Sequence, residues 1–151
     1  MKVRSYGWSG VWCNGGGGLG SSNSSYIDFG YENNLVNDTL YHEMRTSDAT
    51  ANGQGFRMIF DGKVTNMSVQ FDVFNFNSTA DVVIEIFKNG VATGCFIITT
   101  VTGVGSTGTV SACTPPITYV SGDRITTYIR HSDNGISTNN HALLMRFEET
   151  P

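Results

Sequence analysis

Val82-Val83-Ile84-Glu85-Ile86-Phe87 runs into Lys88-Asn89-Gly90, and an apolar run restarts at Val91 and continues to Ile98. Asn-Gly between two apolar runs is the strongest short-range signal for a β-hairpin, because a type I′ turn needs positive φ at both central residues. A second turn signal, Tyr119-Val120-Ser121-Gly122-Asp123, leads into Arg124-Ile125-Thr126-Thr127-Tyr128-Ile129. Two such signals within one run commit the chain to antiparallel β structure joined by tight turns.

The rest of the sequence after Phe56 follows the same period of two. Phe56-Arg57-Met58-Ile59-Phe60 reads as a strand ended by Asp61-Gly62. From Val64 to Phe74, Met67, Val69, Phe71 and Val73 share one face, while Ser68, Gln70 and Asp72 share the other. Val91 to Thr100 is expected to face Thr107 to Thr114 across the small-residue loop 102–106, with Pro115-Pro116 ending that pairing. Ile117 to Val120 is brief, Ile125 to Arg130 is firm, and Ala142 to Glu148 closes the set. About eight strands and no helical periodicity predict an all-β fold, an antiparallel β-sandwich of jelly-roll type. An immunoglobulin-like sandwich is the second choice.

Composition shifts at Phe56. Ten of the eighteen glycines precede it, including Gly15-Gly16-Gly17-Gly18, followed by the Ser/Asn run 21–25. Such a segment loses much entropy on ordering and buries little, yet it carries Tyr6, Trp8, Trp12, Tyr26, Phe29, Tyr31 and Tyr41. The expected division is therefore an irregular N-terminal arm over 1–55, anchored by aromatics, and a sandwich over 56–151. Tyr26 to Tyr31 and Leu40 to Arg45 are expected to form short elements within the arm.

Charge and motifs exclude several functions. Nine basic residues are scattered among thirteen acidic ones, leaving no stripe to neutralise a phosphate backbone, so no nucleic-acid partner is expected. Charged residues make up 15% of the chain, well below the usual quarter, which suggests that part of the surface is covered by a partner or by copies of itself. Met1-Lys2-Val3-Arg4 is not followed by an apolar stretch, so neither an export signal nor a membrane span is expected. The four Asn-x-Ser/Thr sequons are what chance gives in a chain this rich in those residues.

No catalytic or cofactor motif stands out. Gly15 to Gly18 lacks the flanking strand and lysine-bearing helix of a phosphate loop. Asp123 reads as a turn aspartate bonding to nearby backbone. His131 and His141 flank the stretch 132–140 and read as solvated loop histidines, while Tyr41-His42-Glu43 lacks metalloenzyme spacing. No metal and no cofactor are expected. If the stretch 91–114 is a hairpin centred on Val104, Cys95 and Cys113 oppose one another within disulfide reach. The alternative is a reduced pair of half-buried thiols, since cytosolic chains rarely carry bridges.

Phe87-Lys88-Asn89-Gly90-Val91 and Val120-Ser121-Gly122-Asp123-Arg124-Ile125 are similar to the strand-end turns of jelly-roll modules in bacteriophage virions. They also resemble, more distantly, the complement C1q and tumour-necrosis-factor trimers. The resemblance spans roughly 63–147. It implies a non-enzymatic virion protein, made in the host cytoplasm. The kind it most resembles is a homotrimeric capsid decoration (cement) protein that binds the major capsid protein from outside and stabilises the head. In that reading Tyr6, Trp8, Trp12, Tyr26, Phe29 and Tyr31 are the interface anchors; the alternative is that they cover the domain's own sheet. A receptor- or glycan-binding domain of a tail fibre or spike is the second functional expectation. A third is a glycan-active enzyme using Glu85 and Asp72 as paired carboxylates.

Overall fold

The computed structural model describes residues 24–31, 33–36, 39–44 and 55–150. The described residues form ten strands and no helix: β1 (Ser24–Tyr31), β2 (Leu35–Val36), β3 (His42–Met44), β4 (Phe56–Arg57), β5 (Gly62–Phe76), β6 (Ala80–Lys88), β7 (Val91–Val101), β8 (Gly105–Tyr119), β9 (Arg124–His131) and β10 (Ile136–Glu149). They form two five-stranded antiparallel sheets. Sheet I has the order β1-β10-β5-β8, with β2 continuing the β1 edge along β10; sheet II has the order β3-β9-β6-β7, with β4 continuing the β3 edge along β9.

The pairing is nested about Asn89-Gly90. That turn joins β6 to β7, and outward from it β5 pairs β8, β3 and β4 pair β9, and β1 and β2 pair β10. One long hairpin is thus rolled so that successive pairs alternate between sheets. This is the jelly-roll arrangement expected from the sequence. Asn89 and Gly90 have φ of 52° and 81°, as a type I′ turn demands.

The inward positions follow the alternation. Val64, Met67, Val69, Phe71 and Val73 of β5 meet Val82, Ile84 and Ile86 of β6, closed by Ile125 and Ile129 of β9 and Leu143, Met145 and Phe147 of β10. The inward spacing of three between Val64 and Met67 breaks the period. A bulge explains it: β10 pairs Phe147 with Val64 and Arg146 with Asn66, leaving Thr65 as the extra residue.

Four expectations need correction. The strands β1, β2 and β3, which fall within the expected arm, belong to the sandwich: β1 pairs with β10 over eight residues, and Phe29, Leu35 and Met44 are in the core. Phe56 to Phe60 is a strand only over Phe56–Arg57. Gly122-Asp123 does not close a hairpin, because β8 lies in sheet I and β9 in sheet II. For the same reason β7 and β8 do not form a ladder with one another; they are the facing edge strands of the two sheets. Pro115-Pro116 interrupts pairing as expected, since β8 skips from Ala112 to Ile117 against β5, but the strand resumes through Tyr119.

Candidate functional site

The outward face of sheet II carries an aromatic surface. Across its four main strands one row reads Glu43, Tyr128, Glu85, Phe96, and the next places Arg130, Val83 and Ile98 side by side. Phe87 projects on the same side as Glu85, two residues along β6. Its ring centroid lies 4.7 Å from that of Tyr128, and Tyr41 completes an edge-on trio at 6.1 and 6.2 Å. The Arg130 guanidinium sits 5.2 Å from the Tyr41 ring centroid, a cation–π arrangement, and the Tyr41 hydroxyl donates to Glu85 Oε2 at 2.9 Å. Burial against these neighbours, with Glu43 second, raises the Tyr128 hydroxyl pKa. Beside the trio, Phe96 and Ile98 remain 49% and 46% exposed. The outward face of sheet I differs: the rows Gly30, Ala142, Gln70, Gly108 and Asp28, Leu144, Ser68, Val110 present mostly small or aliphatic side chains, and the rows beyond them carry the Lys63–Glu148 and Arg146–Glu148 ion pairs.

A second constellation lies inside. His131 and His141 are 0% and 4% exposed, so they are interior residues rather than the solvated loop histidines expected from sequence. The connecting loop is only 132–135, and both histidines belong to strands. His131 Nε2 lies 2.8 Å from Thr138 Oγ1, which lies 2.7 Å from His141 Nε2. His141 Nδ1 is 3.2 Å from the Tyr31 carbonyl oxygen, and the Tyr31 hydroxyl is 3.0 Å from His42 Nδ1. All three histidines of the chain therefore share one hydrogen-bonded chain between the sheets.

The partners fix the protons. A carbonyl only accepts, so His141 carries its hydrogen on Nδ1 and its neutral Nε2 accepts from the Thr138 hydroxyl. That hydroxyl has one hydrogen, so Thr138 Oγ1 accepts from His131 Nε2–H. Burial is the main reason the His141 pKa is lowered to about 4, with the bond to Tyr31 opposing it. The sequence did hold the signal. His131 is in phase with Ile125, Thr127 and Ile129, and His141 with Leu143, Met145 and Phe147.

The remaining residues singled out from sequence fall as follows. Tyr6, Trp8 and Trp12, like Gly15 to Gly18, lie outside the described residues. Tyr26 is 60% exposed on the outward side of β1, whereas Phe29 is in the core and Tyr31 packs against it, so neither of those two is a surface anchor. Cys95 and Cys113 are joined in a disulfide with Cα atoms 5.5 Å apart, and the bridge spans the two sheets rather than a ladder. Glu85 and Asp72 do not converge: Glu85 faces outward from sheet II, while Asp72 on sheet I accepts from Ser106 and Asn140. Those two bonds, the Ser106 one first, lower the Asp72 pKa. Asp123 caps its turn by accepting from the Val120 backbone N–H and from Asn89, which hold its pKa low. Among the described residues no group of three or more His, Cys, Asp or Glu is arranged to hold a metal ion. Among the described residues, too, no helix is long and apolar enough to cross a membrane.

No protein-family profile matches the chain, and no curated protein matches it. Among solved structures, dimeric latent PorU from Porphyromonas gingivalis is similar over 85% of this chain, with 8% identity and a TM-score of 0.46. The chain spans 13% of that protein's length. At that identity and score, the likeness says nothing of activity or partners.

Proposed function

We propose that this chain is a non-enzymatic structural protein of a bacteriophage particle, a homotrimeric decoration protein that binds the capsid exterior and stabilises it. The observation that supports this reading is the aromatic outward face of sheet II. A sandwich needs only one apolar face per sheet, the inward one, and an outward face that also carries Phe96, Ile98, Tyr41 and partly buried Phe87 and Tyr128 suits a covering partner. Rings held by strands lose little entropy on contact and make strong interface anchors. The disulfide and the nested pairing supply a rigid body behind that face.

Adding the purified protein to undecorated, expanded capsids tests the reading. Stoichiometric binding with a gain in heat resistance is expected, together with a solution mass three times the 16.4 kDa of one chain. Capsids that stay bare, or bind without gaining heat resistance, reject it. A second reading, a glycan-binding domain at a tail tip, draws on Glu43, Glu85 and Arg130 among the rings. Carboxylates and a guanidinium serve sugar hydroxyls while rings cover the C–H faces. Labelling the protein on intact particles separates the two, because a tail-tip location contradicts a head role.

A further inference from the structure

We propose that the interior histidine chain is an acid-operated latch, which fastens β1 and β3 to the sandwich at neutral pH and releases them on acidification. This is independent of the proposed virion role. The two sheets meet along two sides. On one side, the edge strands β7 and β8 are tied covalently through Cys95 and Cys113. On the other side, the edges are β1, paired to β10, and β3, paired to β9, and the chain passes from one sheet to the other between them. The histidine chain sits at that second side and contacts all four of these strands: Tyr31 on β1, His42 on β3, His131 on β9, Thr138 and His141 on β10.

The hydrogens running through Thr138 fit one protonation state of His141. With His141 neutral, every hydrogen from His131 to Tyr31 has an acceptor. A proton added at His141 Nε2 removes the acceptor of the Thr138 hydrogen, and that hydrogen must be rehoused among buried groups. The groups facing this charge do not neutralise it. From β9 and β3 they are His131 and His42, from β1 the Tyr31 phenol, and from β5 the Phe71 ring at 6.3 Å. The carboxylate that attracts it, Asp72 on β5, is committed to Ser106 and Asn140. Water reaches His141 when Tyr31, whose ring lies 5.6 Å away and whose carbonyl holds Nδ1, moves off with β1. Edge strands are also where local opening costs least, so acid favours opening here before global unfolding.

Hydrogen exchange of the full chain, corrected for intrinsic rates, tests this between pH 7.5 and 4.5. Amides of Ser24–Tyr31 and His42–Met44 are expected to lose protection by up to about tenfold per pH unit for one proton taken up. Those of β6 and β7 should hold. His141→Asn, whose amide keeps a donor for the Tyr31 carbonyl but does not titrate, is expected to flatten the response. Equal loss in β1 and β6, no loss at all, or an unchanged slope in the variant overturns the proposal. If that variant does not fold, the ring resonances of His141 in the natural chain decide. A midpoint near the ordinary histidine value with β1 still protected overturns the latch, and a strongly lowered midpoint, or one coupled to loss of β1, supports it.

Discussion

His141 links a single residue to the stability of the whole chain. Its pKa falls from 6.5 unfolded to about 4 folded, so the unfolded chain binds the proton first as pH drops. Its contribution is complete above pH 6.5 and is lost progressively as pH falls towards 4. At 1.36 kcal/mol per unit the loss approaches about 3 kcal/mol, measurable as a lower urea midpoint at pH 4.5 than at pH 7.5. Gly62 is a second residue with a definite cost. A Cβ there would meet the Glu148 carbonyl oxygen and come within 2.5 Å of the Tyr119 hydroxyl. Gly62→Ala is expected to lower stability by about 1–3 kcal/mol in the same assay, as overpacking does. The two sites differ in how far the sequence reveals them. Strand parity alone puts His131 and His141 on the inward side, but a histidine at a strand end reads equally as loop. Nothing in Asp61-Gly62-Lys63 announces that another strand's carbonyl lies against the glycine, because that neighbour is 86 residues away, at Glu148.

At the scale of elements, the long strands were legible in full and the short ones in outline: Tyr26 to Tyr31 and Leu40 to Arg45 read as short elements and are β1 and β3, while Leu35–Val36 gave no signal. β5, β6, β9 and the later part of β10 alternate over enough residues for their buried faces to be read directly. β1 pairs over eight residues, but its alternation is short, Ile27, Phe29 and Tyr31 alone turning inward, so its extent is set by β10. Which sheet a strand joins is a matter of crossover, and local turn chemistry is silent about it. Hence Asn89-Gly90 is a hairpin turn while Gly122-Asp123 is a bridge between sheets. Gly90 has φ of 81° and open space around it, so Gly90→Val is expected to cost about 1 kcal/mol or somewhat more from backbone strain, without a packing defect. Cys95 and Cys113, separated by 18 positions in sequence, tie the two sheets together. Replacing both with serine is expected to remove about 2–4 kcal/mol, read as a lower thermal midpoint that reductant no longer shifts.

For the molecule as a whole, the two outward faces differ, and the trimer proposed above is testable on the aromatic one. Phe96 and Ile98 are surface residues on an edge strand, so under the proposed trimer Phe96→Ser with Ile98→Ser is expected to leave far-ultraviolet dichroism unchanged and to lower the mass seen by light scattering. An unchanged mass would count against the outward face of sheet II as the contact between copies. The sandwich class was legible because alternation and turns repeat along the chain. The aromatic face was not, because its residues come from separate segments and meet only after the sheets form. Ser24 lies opposite Glu148, so the first described strand begins beside the end of the last. Tension entering at Ser24 and leaving at Glu149 would pull neighbouring antiparallel strands apart from one corner, unzipping β1 one residue pair at a time instead of shearing all eight together. The body would therefore yield first, and gently, at this corner, with the break travelling along β1 towards Tyr31 while the disulfide side stays closed.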